Sequence, residues 1–254
     1  MRAIGNNAQL SKDILSIHFN VDGFSFSTDT VNRFDVDPAY PLPVNIERML
    51  ETFPELKKKT YKNTNIIVDT PHFTLVPFEL YEDEQIDTLF KFNFPSVGNE
   101  EALCNILDWT NVALIFGVNK ELLSLLNRHF PDARILSSLS LMTEWFIRES
   151  NRTSSTKLSV LMHGDVIDVI VCSKGKLMFV NCFECTNNND RCYYILHVWQ
   201  SLQLDAEKDT LELYTDFATD PLPTQQLQRF VRQVNVIAEM SGMTCPLKYL
   251  YLCE

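Results

Sequence analysis

The chain has 254 residues, of which 45% are hydrophobic and 22% are charged, the ordinary composition of a folded globular protein. This length is enough for one large domain or two small ones. The formal net charge of −11 repels the phosphate backbone of nucleic acids, whose binding depends on clustered Lys and Arg. We therefore expect no nucleic-acid partner.

The N-terminal residues 1–13 lack the apolar core of a signal peptide. The longest apolar runs, such as residues 112–118, are far shorter than the roughly 20 residues that span a bilayer. The seven cysteines show no disulfide-like spacing. These observations predict a cytoplasmic protein with reduced thiols and no membrane insertion.

The first half of the chain opens with a predicted β-hairpin. Residues 15–20 and 24–28 have strand-like patterns and are joined by Val21-Asp22-Gly23, and Asp-Gly between apolar-rich runs is typical of a tight turn that needs positive φ. A Pro-rich stretch at 37–43 then interrupts regular structure, and Pro43 is well placed at the start of a helix. The pattern further predicts strands at 65–68, 73–76, 112–118 and 133–136, helices that begin near 82, 119 and 138, and a loop at 93–101.

The polar, turn-rich residues 149–157 mark a boundary, after which the pattern starts again. Residues 158–162 and 166–172 form a second predicted hairpin that turns at His163-Gly164-Asp165. A strand at 176–182, a helix capped within 187–190, a strand at 210–214, a helix near 224–231, a strand at 234–238 and a short C-terminal helix are predicted to follow.

The two halves share a visible repeat. LSVLMHGDVIDVIV echoes LSIHFNVDGFSFSTD, and each hairpin precedes a helix and then a strand, NTNIIVDT in the first half and DTLELYTD in the second. A matching order of elements favours an internal duplication over a chance likeness of two hairpins. We predict an α/β protein with subdomains at 1–150 and 151–254.

A hairpin, a third strand, a helix, a strand, a helix and a strand make the ribonuclease-H-like unit, and two such units in tandem make the actin-like ATPase fold, with mixed sheets flanked by helices. The chain resembles an uncharacterised Bacteroidetes family with that fold in its opening LSIHFNVDGFSFS, its central FTLVPFELYEDE and its closing YLYLCE. It is more distantly similar to actin-like proteins that act as pilus-assembly and secretion scaffolds. The resemblance implies a fold and a cytoplasmic location, but no catalytic residue, because the family has no established activity.

An actin-like ATPase would hold the phosphates of ATP and a Mg²⁺ ion at its two hairpin turns, where closely spaced backbone N–H groups are needed. The residues at those places are Asp22, Gly23, Ser25, Gly164 and Asp165. Each turn contains a single Gly, which a hairpin turn alone explains. If the chain is an enzyme, the sequence predicts a Mg²⁺-dependent ATPase that uses these residues.

The second half lacks the Gly-rich turn that would let adenosine approach. Residues 215–221 contain no Gly, two carboxylates and a bulky Phe, and the whole chain has only 7 glycines. The sequence therefore favours a degenerate or absent ATPase, and we expect no cofactor unless the ATP-binding alternative holds.

Two other activities find little support. A ribonuclease-H-type nuclease needs clustered carboxylates and two metal ions, and only Asp22 and Asp69 are placed on strand ends. Cys182, Cys185 and Cys192 suggest zinc, but a structural zinc site takes four ligands, and free buried cysteines are the simpler interpretation. We expect no metal site.

Aromatic side chains concentrate in the residues that follow the third predicted strand, among them Phe73, Phe78 and Tyr81. Core packing is one interpretation, and an exposed part of the segment would be a partner-binding surface. The first hypothesis is therefore a non-enzymatic protein-binding or assembly module that acts through its cleft or residues 71–100, and a homodimer is left open. The alternative is an ATP-binding or slowly hydrolysing actin-like ATPase.

Overall fold

The computed structural model describes residues 13–20, 23–27, 30–57, 61–215, 222–238, 246, 247 and 250. The strands are β1 (Ile14–Asn20), β2 (Gly23–Ser27), β3 (Val31–Asp35), β4 (Asn63–Val68), β5 (Phe73–Pro77), β6 (Glu100–Leu107), β7 (Val112–Asn119), β8 (Arg134–Ser137), β9 (Lys157–His163), β10 (Val166–Ser173), β11 (Lys176–Glu184), β12 (Thr210–Thr215) and β13 (Gln233–Ala238). The α-helices are α1 (Leu42–Thr52), α2 (Ile86–Asn93), α3 (Lys120–His129), α4 (Ser138–Ser150), α5 (Asn188–Ser201) and α6 (Thr224–Leu227).

The chain divides into two compact units. The first comprises Met1–Ile106, Val112–Ser138 and Gly242–Glu254, and the second comprises Leu107–Asn111 and Leu139–Ser241. The predicted boundary at residue 150 lies at the end of α4, whereas the division between the units falls at the start of that helix, between Ser138 and Leu139.

The first unit contains a five-stranded sheet in the order β3-β2-β1-β4-β8. The outer hairpin strands are antiparallel, and β4 and β8 run parallel to β1. Alternation along β1 sends Leu15 and Ile17 to one face and Ser16 and His18 to the other, and all four are buried. Both faces of this sheet are therefore covered, and one of them carries buried polar side chains.

The second unit repeats the arrangement with the order β11-β10-β9-β12-β13, which is the same order of hairpin, third strand and two parallel strands. Apolar side chains from one face pack against α5, whose core residues include Ile195, Val198 and Trp199. Asn187 caps α5, because its side chain accepts hydrogen bonds from the N–H groups of Asn189 and Asp190. The identical strand order confirms the predicted internal duplication.

A three-stranded sheet in the order β5-β7-β6 is inserted between β4 and β8 of the first unit. The central strand β7 is apolar and buried along Ala113–Val118, as its sequence predicts. Helix α2 lies over this sheet, with Phe90 buried beside the backbone of Gly117. Asn119 ends β7 and caps α3 through hydrogen bonds from the N–H groups of Glu121 and Leu122.

Two strands were missed by the sequence analysis. No strand was predicted at β3, and the loop predicted for residues 93–101 overlaps the start of β6. Both lie at a sheet edge and have few fully buried residues, so they lack the apolar alternation that marks a strand. Helix α6 is also shorter than predicted, and most of the predicted C-terminal helix lies outside the described residues.

Candidate functional site

The predicted phosphate-binding positions of the first unit lie at the start of β2. Gly23 and Ser25 are both buried, whereas Asp22 lies outside the described residues. The expectation that Gly23 supplies positive φ to the turn is wrong, because its φ lies outside the left-handed region. The glycine is required instead by a close approach: a Cβ at this position would lie 2.7 Å from the carbonyl oxygen of Phe34 in β3.

A buried imidazole and carboxylate lie on the same side of this sheet as Ser25. His18 faces Ser25 across the β1–β2 pair, and its Nε2 is 2.9 Å from Oδ1 of Asp69, which follows β4. The His18 side chain is 1% exposed and that of Asp69 is 10% exposed. Asp69, which the nuclease interpretation placed near a metal, is thus engaged by an imidazole.

In the second unit the hairpin turn consists of Gly164 and Asp165, since His163 and Val166 still pair. Gly164 has a φ of 55°, a conformation that favours glycine. Both carbonyl groups of the turn are used within the unit: Nη2 of Arg191 donates to the Gly164 oxygen at 2.8 Å, and the Cys185 N–H donates to the Asp165 oxygen at 2.7 Å. The turn presents an exposed carboxylate, Asp165, where a phosphate would need donors.

The hairpin of β9 and β10 also carries a buried carboxylate, Asp168, which has two partners. Asp168 is 4% exposed; its Oδ1 accepts a hydrogen bond from the Cys182 thiol at 2.6 Å, and its Oδ2 is 3.1 Å from Nε2 of His163. The carboxylate lies between thiol and imidazole, so this is not the order in which an imidazole activates a nucleophile. The arrangement holds the hairpin to β11.

The cysteines considered as zinc ligands have separate surroundings. Cys182 contacts Asp168, Cys185 is fully buried, and the Cys192 thiol contacts Oε1 of Gln226 at 3.2 Å. Burial raises the pKa of Cys185 to about 11, so this group is a thiol at neutral pH and a poor nucleophile. Within the described ranges, no group of three or more His, Cys, Asp and Glu side chains is placed to hold a metal ion.

The aromatic segment, residues 73–92, comprises β5 of the inserted three-stranded sheet, the turns that follow it and most of α2. Phe73 opens β5 opposite Phe116, and Phe78 follows β5 in a 3₁₀ turn. The rings of Phe78 and Tyr81 stack with their centroids 6.1 Å apart, and the Tyr81 hydroxyl donates to Oδ1 of Asp83 at 2.5 Å. Phe73 and Tyr81 are half-buried, while Phe78 is exposed. The structure thus brings the three predicted partner-binding residues to one element and the turn that follows it.

An acidic cavity of about 420 Å³ adjoins this element between α2 and β6. Its lining contains five carboxylates and two lysines, with small apolar contributions: Asp83, Glu84, Ile86, Asp87, Lys91, Glu100, Glu101, Ala102 and Lys120. The surroundings of the aromatic segment are therefore predominantly negative.

The comparison with protein families decides the relationship. The family model described as "Protein of unknown function (DUF3822)" matches residues 5–234. The chain belongs to this family. A search of the curated proteins found no match to this DUF3822 member.

Solved structures place the DUF3822 chain among proteins of known fold. A Bacteroides thetaiotaomicron protein with an actin-like ATPase fold and unknown function is 32% identical, with a TM-score of 0.86 over 96% of this chain and 97% of that chain. A PilM-PilN type IV pilus biogenesis complex is similar at 7% identity, with a TM-score of 0.55 over 94% of this chain and 96% of that chain. The predicted resemblance and the actin-like ATPase fold are confirmed. No helix in the part of this DUF3822 chain that is described has the length and apolar character needed to cross a bilayer.

Sequence reasoning missed both buried carboxylate clusters. His18 and Asp69 are 51 positions apart and meet only through the β1–β4 register, which no local pattern reveals. The only sequence signal was a polar residue at alternate positions of an otherwise apolar strand, as His18 is in β1 and Asp168 is in β10.

Proposed function

We propose that this DUF3822 chain is a cytoplasmic, non-enzymatic module that binds a protein partner through the aromatic segment, defined as residues 73–92. The observation that carries the proposal is the exposure of large apolar side chains there: Phe78 is 44% exposed, Leu80 69% and Phe92 83%. Phe78 and Leu80 lie in the 3₁₀ turn after β5 and Phe92 lies in α2, and exposed apolar side chains of this kind are typical of protein–protein interfaces.

The local structure supports a preformed binding surface. Phe78 is held against Tyr81 by stacking, and Tyr81 is held by Asp83, so the exposed ring needs little ordering when a partner binds. One solved structure of this fold was determined as a complex of two proteins, PilM and PilN, which is compatible with a protein-binding use of the fold.

The hairpin geometry argues against the ATP-binding alternative. Gly23 accommodates the β3 backbone, and Gly164 permits the left-handed conformation of its turn, so each glycine has a structural reason of its own. The exposed Asp165 carboxylate would repel a phosphate group. These features favour hairpins that serve the fold over hairpins that bind phosphate.

The partner surface is tested by affinity capture from a lysate of the organism that encodes the chain. The variant Phe78→Ser/Leu80→Ser removes exposed apolar side chains from the aromatic segment, and Phe230→Ser is a matched control because Phe230 is 58% exposed in the second unit. We expect a protein that is captured in stoichiometric amount by wild type and the control and is lost with the double variant. Equal capture by all three proteins would refute the proposed surface.

The ATP-binding alternative is tested by calorimetric titration with Mg²⁺-ATP. We expect no heat of binding. A dissociation constant tighter than about 100 μM, on the order of −5.5 kcal/mol, that is lost in Asp22→Ala would overturn the proposal in favour of a nucleotide site.

A further inference from the structure

The strand β5 lies at the edge of the three-stranded sheet. Within the described part of the chain it pairs with β7 on one side and with no strand on the other. An open strand edge presents unpaired N–H and C=O groups, which another strand can join. The five residues FTLVP contain no charged side chain that would discourage such pairing.

The register identifies which backbone groups face outward. The Gly117 N–H donates to the His72 carbonyl oxygen, so this position is a hydrogen-bonded pair, and alternation makes Thr74 and Val76 hydrogen-bonded to β7 as well. The N–H and C=O groups of Phe73 and Leu75 therefore point away from β7. They form a short, evenly spaced row of donors and acceptors at the open edge.

Pro77 fits this assignment. It occupies the same kind of position as Phe73 and Leu75, so the N–H that proline lacks would have pointed outward. The carbonyl oxygen of Pro77 adds one more outward acceptor. The row of outward N–H donors ends at Leu75, because proline has no N–H. An added strand would consequently pair with Phe73 to Leu75 and leave the sheet beside Phe78, one of the exposed apolar side chains.

The charge that follows β5 indicates the kind of strand that fits. Glu79, Glu82, Asp83 and Glu84 follow the strand within a few residues, and all four are exposed. These carboxylates attract Lys and Arg on an incoming segment. Edge-to-edge pairing of two copies of this chain would instead bring together two molecules that each carry a net charge of −11.

We propose that β5 binds an extended, positively charged segment of a partner protein by adding it as a fourth strand to the three-stranded sheet. The inference rests on the proposed function, because it assigns a binding mode and a partner chemistry to the same surface. Backbone hydrogen bonds would come from Phe73 and Leu75, apolar contacts from Phe78, and charge selection from the carboxylates that follow.

The probe is the peptide KVTVKVK-amide, which combines lysines with β-branched residues and carries fluorescein at its N-terminus, and its binding is measured by fluorescence anisotropy. Leu75→Pro removes one outward N–H without removing a hydrogen bond to β7, and Pro77 shows that β5 accepts proline at such a position. Leu75→Ala is the matched control, since it shortens the side chain and keeps the N–H. We expect at least tenfold weaker binding to Leu75→Pro and less than threefold weaker binding to Leu75→Ala.

A second test needs no protein variant. The same peptide with an N-methyl group on every residue has no residue N–H to donate at either edge, and we expect it to bind at least tenfold more weakly than the parent peptide. Hydrogen exchange followed by NMR should slow at the Phe73 and Leu75 amides when the parent peptide is added. Absence of binding to wild type, or equal binding of the two peptides, would overturn the inference, as would a dimer of wild type that Leu75→Pro abolishes.

The outcome also separates this inference from the proposed function. If Leu75→Pro still captures a partner that Phe78→Ser/Leu80→Ser loses, the surface is used without strand addition, and the inference fails alone. If neither variant loses the partner and the peptide does not bind, both fail.

Discussion

Replacing Gly23 by Ala tests whether this glycine serves the sheet. The added Cβ would lie 2.7 Å from the Phe34 carbonyl oxygen, so the β3 backbone must retreat by about 0.7 Å to reach the 3.4 Å at which ordinary contact begins. Overpacking of this kind costs about 1–3 kcal/mol of unfolding free energy. With a urea m-value of about 2 kcal/mol/M, the unfolding midpoint should fall by about 0.5–1.5 M.

The assay is urea unfolding followed by circular dichroism, with Gly98→Ala as the matched control. No atom lies within 4 Å of a Cβ at Gly98, so the same chemical change there should leave the midpoint unchanged or slightly higher. If Gly23→Ala is as stable as Gly98→Ala, the approach of β3 does not explain the glycine, and a role in binding a ligand becomes the better explanation.

Three further predictions concern the second unit. Burial raises the pKa of Cys172 to about 12 and that of Cys185 to about 11, so iodoacetamide at pH 7.5 should leave both unlabelled in the folded protein and label them in urea, as peptide mass spectrometry will show. Asp168→Ala removes a buried carboxylate with two partners and should cost about 2–4 kcal/mol in urea unfolding, whereas exposed Asp165→Ala should change stability by less than about 0.5 kcal/mol. Burial also raises the pKa of Glu144 above 4.5; its ionised form is therefore destabilising, and Glu144→Gln should raise the thermal midpoint at pH 7, with the gain vanishing as the pH falls through the folded-state pKa towards 4.

The sequence predicted best where pattern and pairing are local. The hairpin of β9 and β10 was recognised because continuous apolar runs flank a Gly-Asp turn, and the repeat of that pattern predicted the duplication. The edge strands β3 and β6 were missed because pairing on one side leaves their side chains partly exposed. Propensity carries little information at such positions.

The candidate site was predicted less well than the fold, since it depends on contacts between distant residues. That Phe78 is exposed while Phe90 is buried follows from how α2 lies over β7, not from the aromatic pattern that both share. The open edge of β5 is likewise a property of strand order. A sequence shows that FTLVP is a strand, but not that one of its sides is unpaired.

The two duplicated sheets have the same strand register but carry different side chains at equivalent positions. Ser16 pairs with Asn65 in the first sheet, and Ser159 pairs with Glu212 at the corresponding place in the second. A buried carboxylate, unlike a neutral amide, carries a charge that must be compensated. Nζ of Lys157 and the Tyr214 hydroxyl supply this, each at 2.8 Å from a carboxylate oxygen of Glu212.

The hairpin glycines have diverged in the same way. Gly23 makes room for a neighbouring strand, and Gly164 permits a left-handed turn. An ATPase of this fold needs closely spaced backbone N–H groups at the turns of both halves. Because the two glycines have different structural reasons, a shared phosphate-binding role is a weaker explanation for them. The Mg²⁺-ATP titration tests this argument. If the wild-type protein gives no heat of binding, the duplicated fold has been retained while the two hairpin turns no longer share a phosphate-binding role.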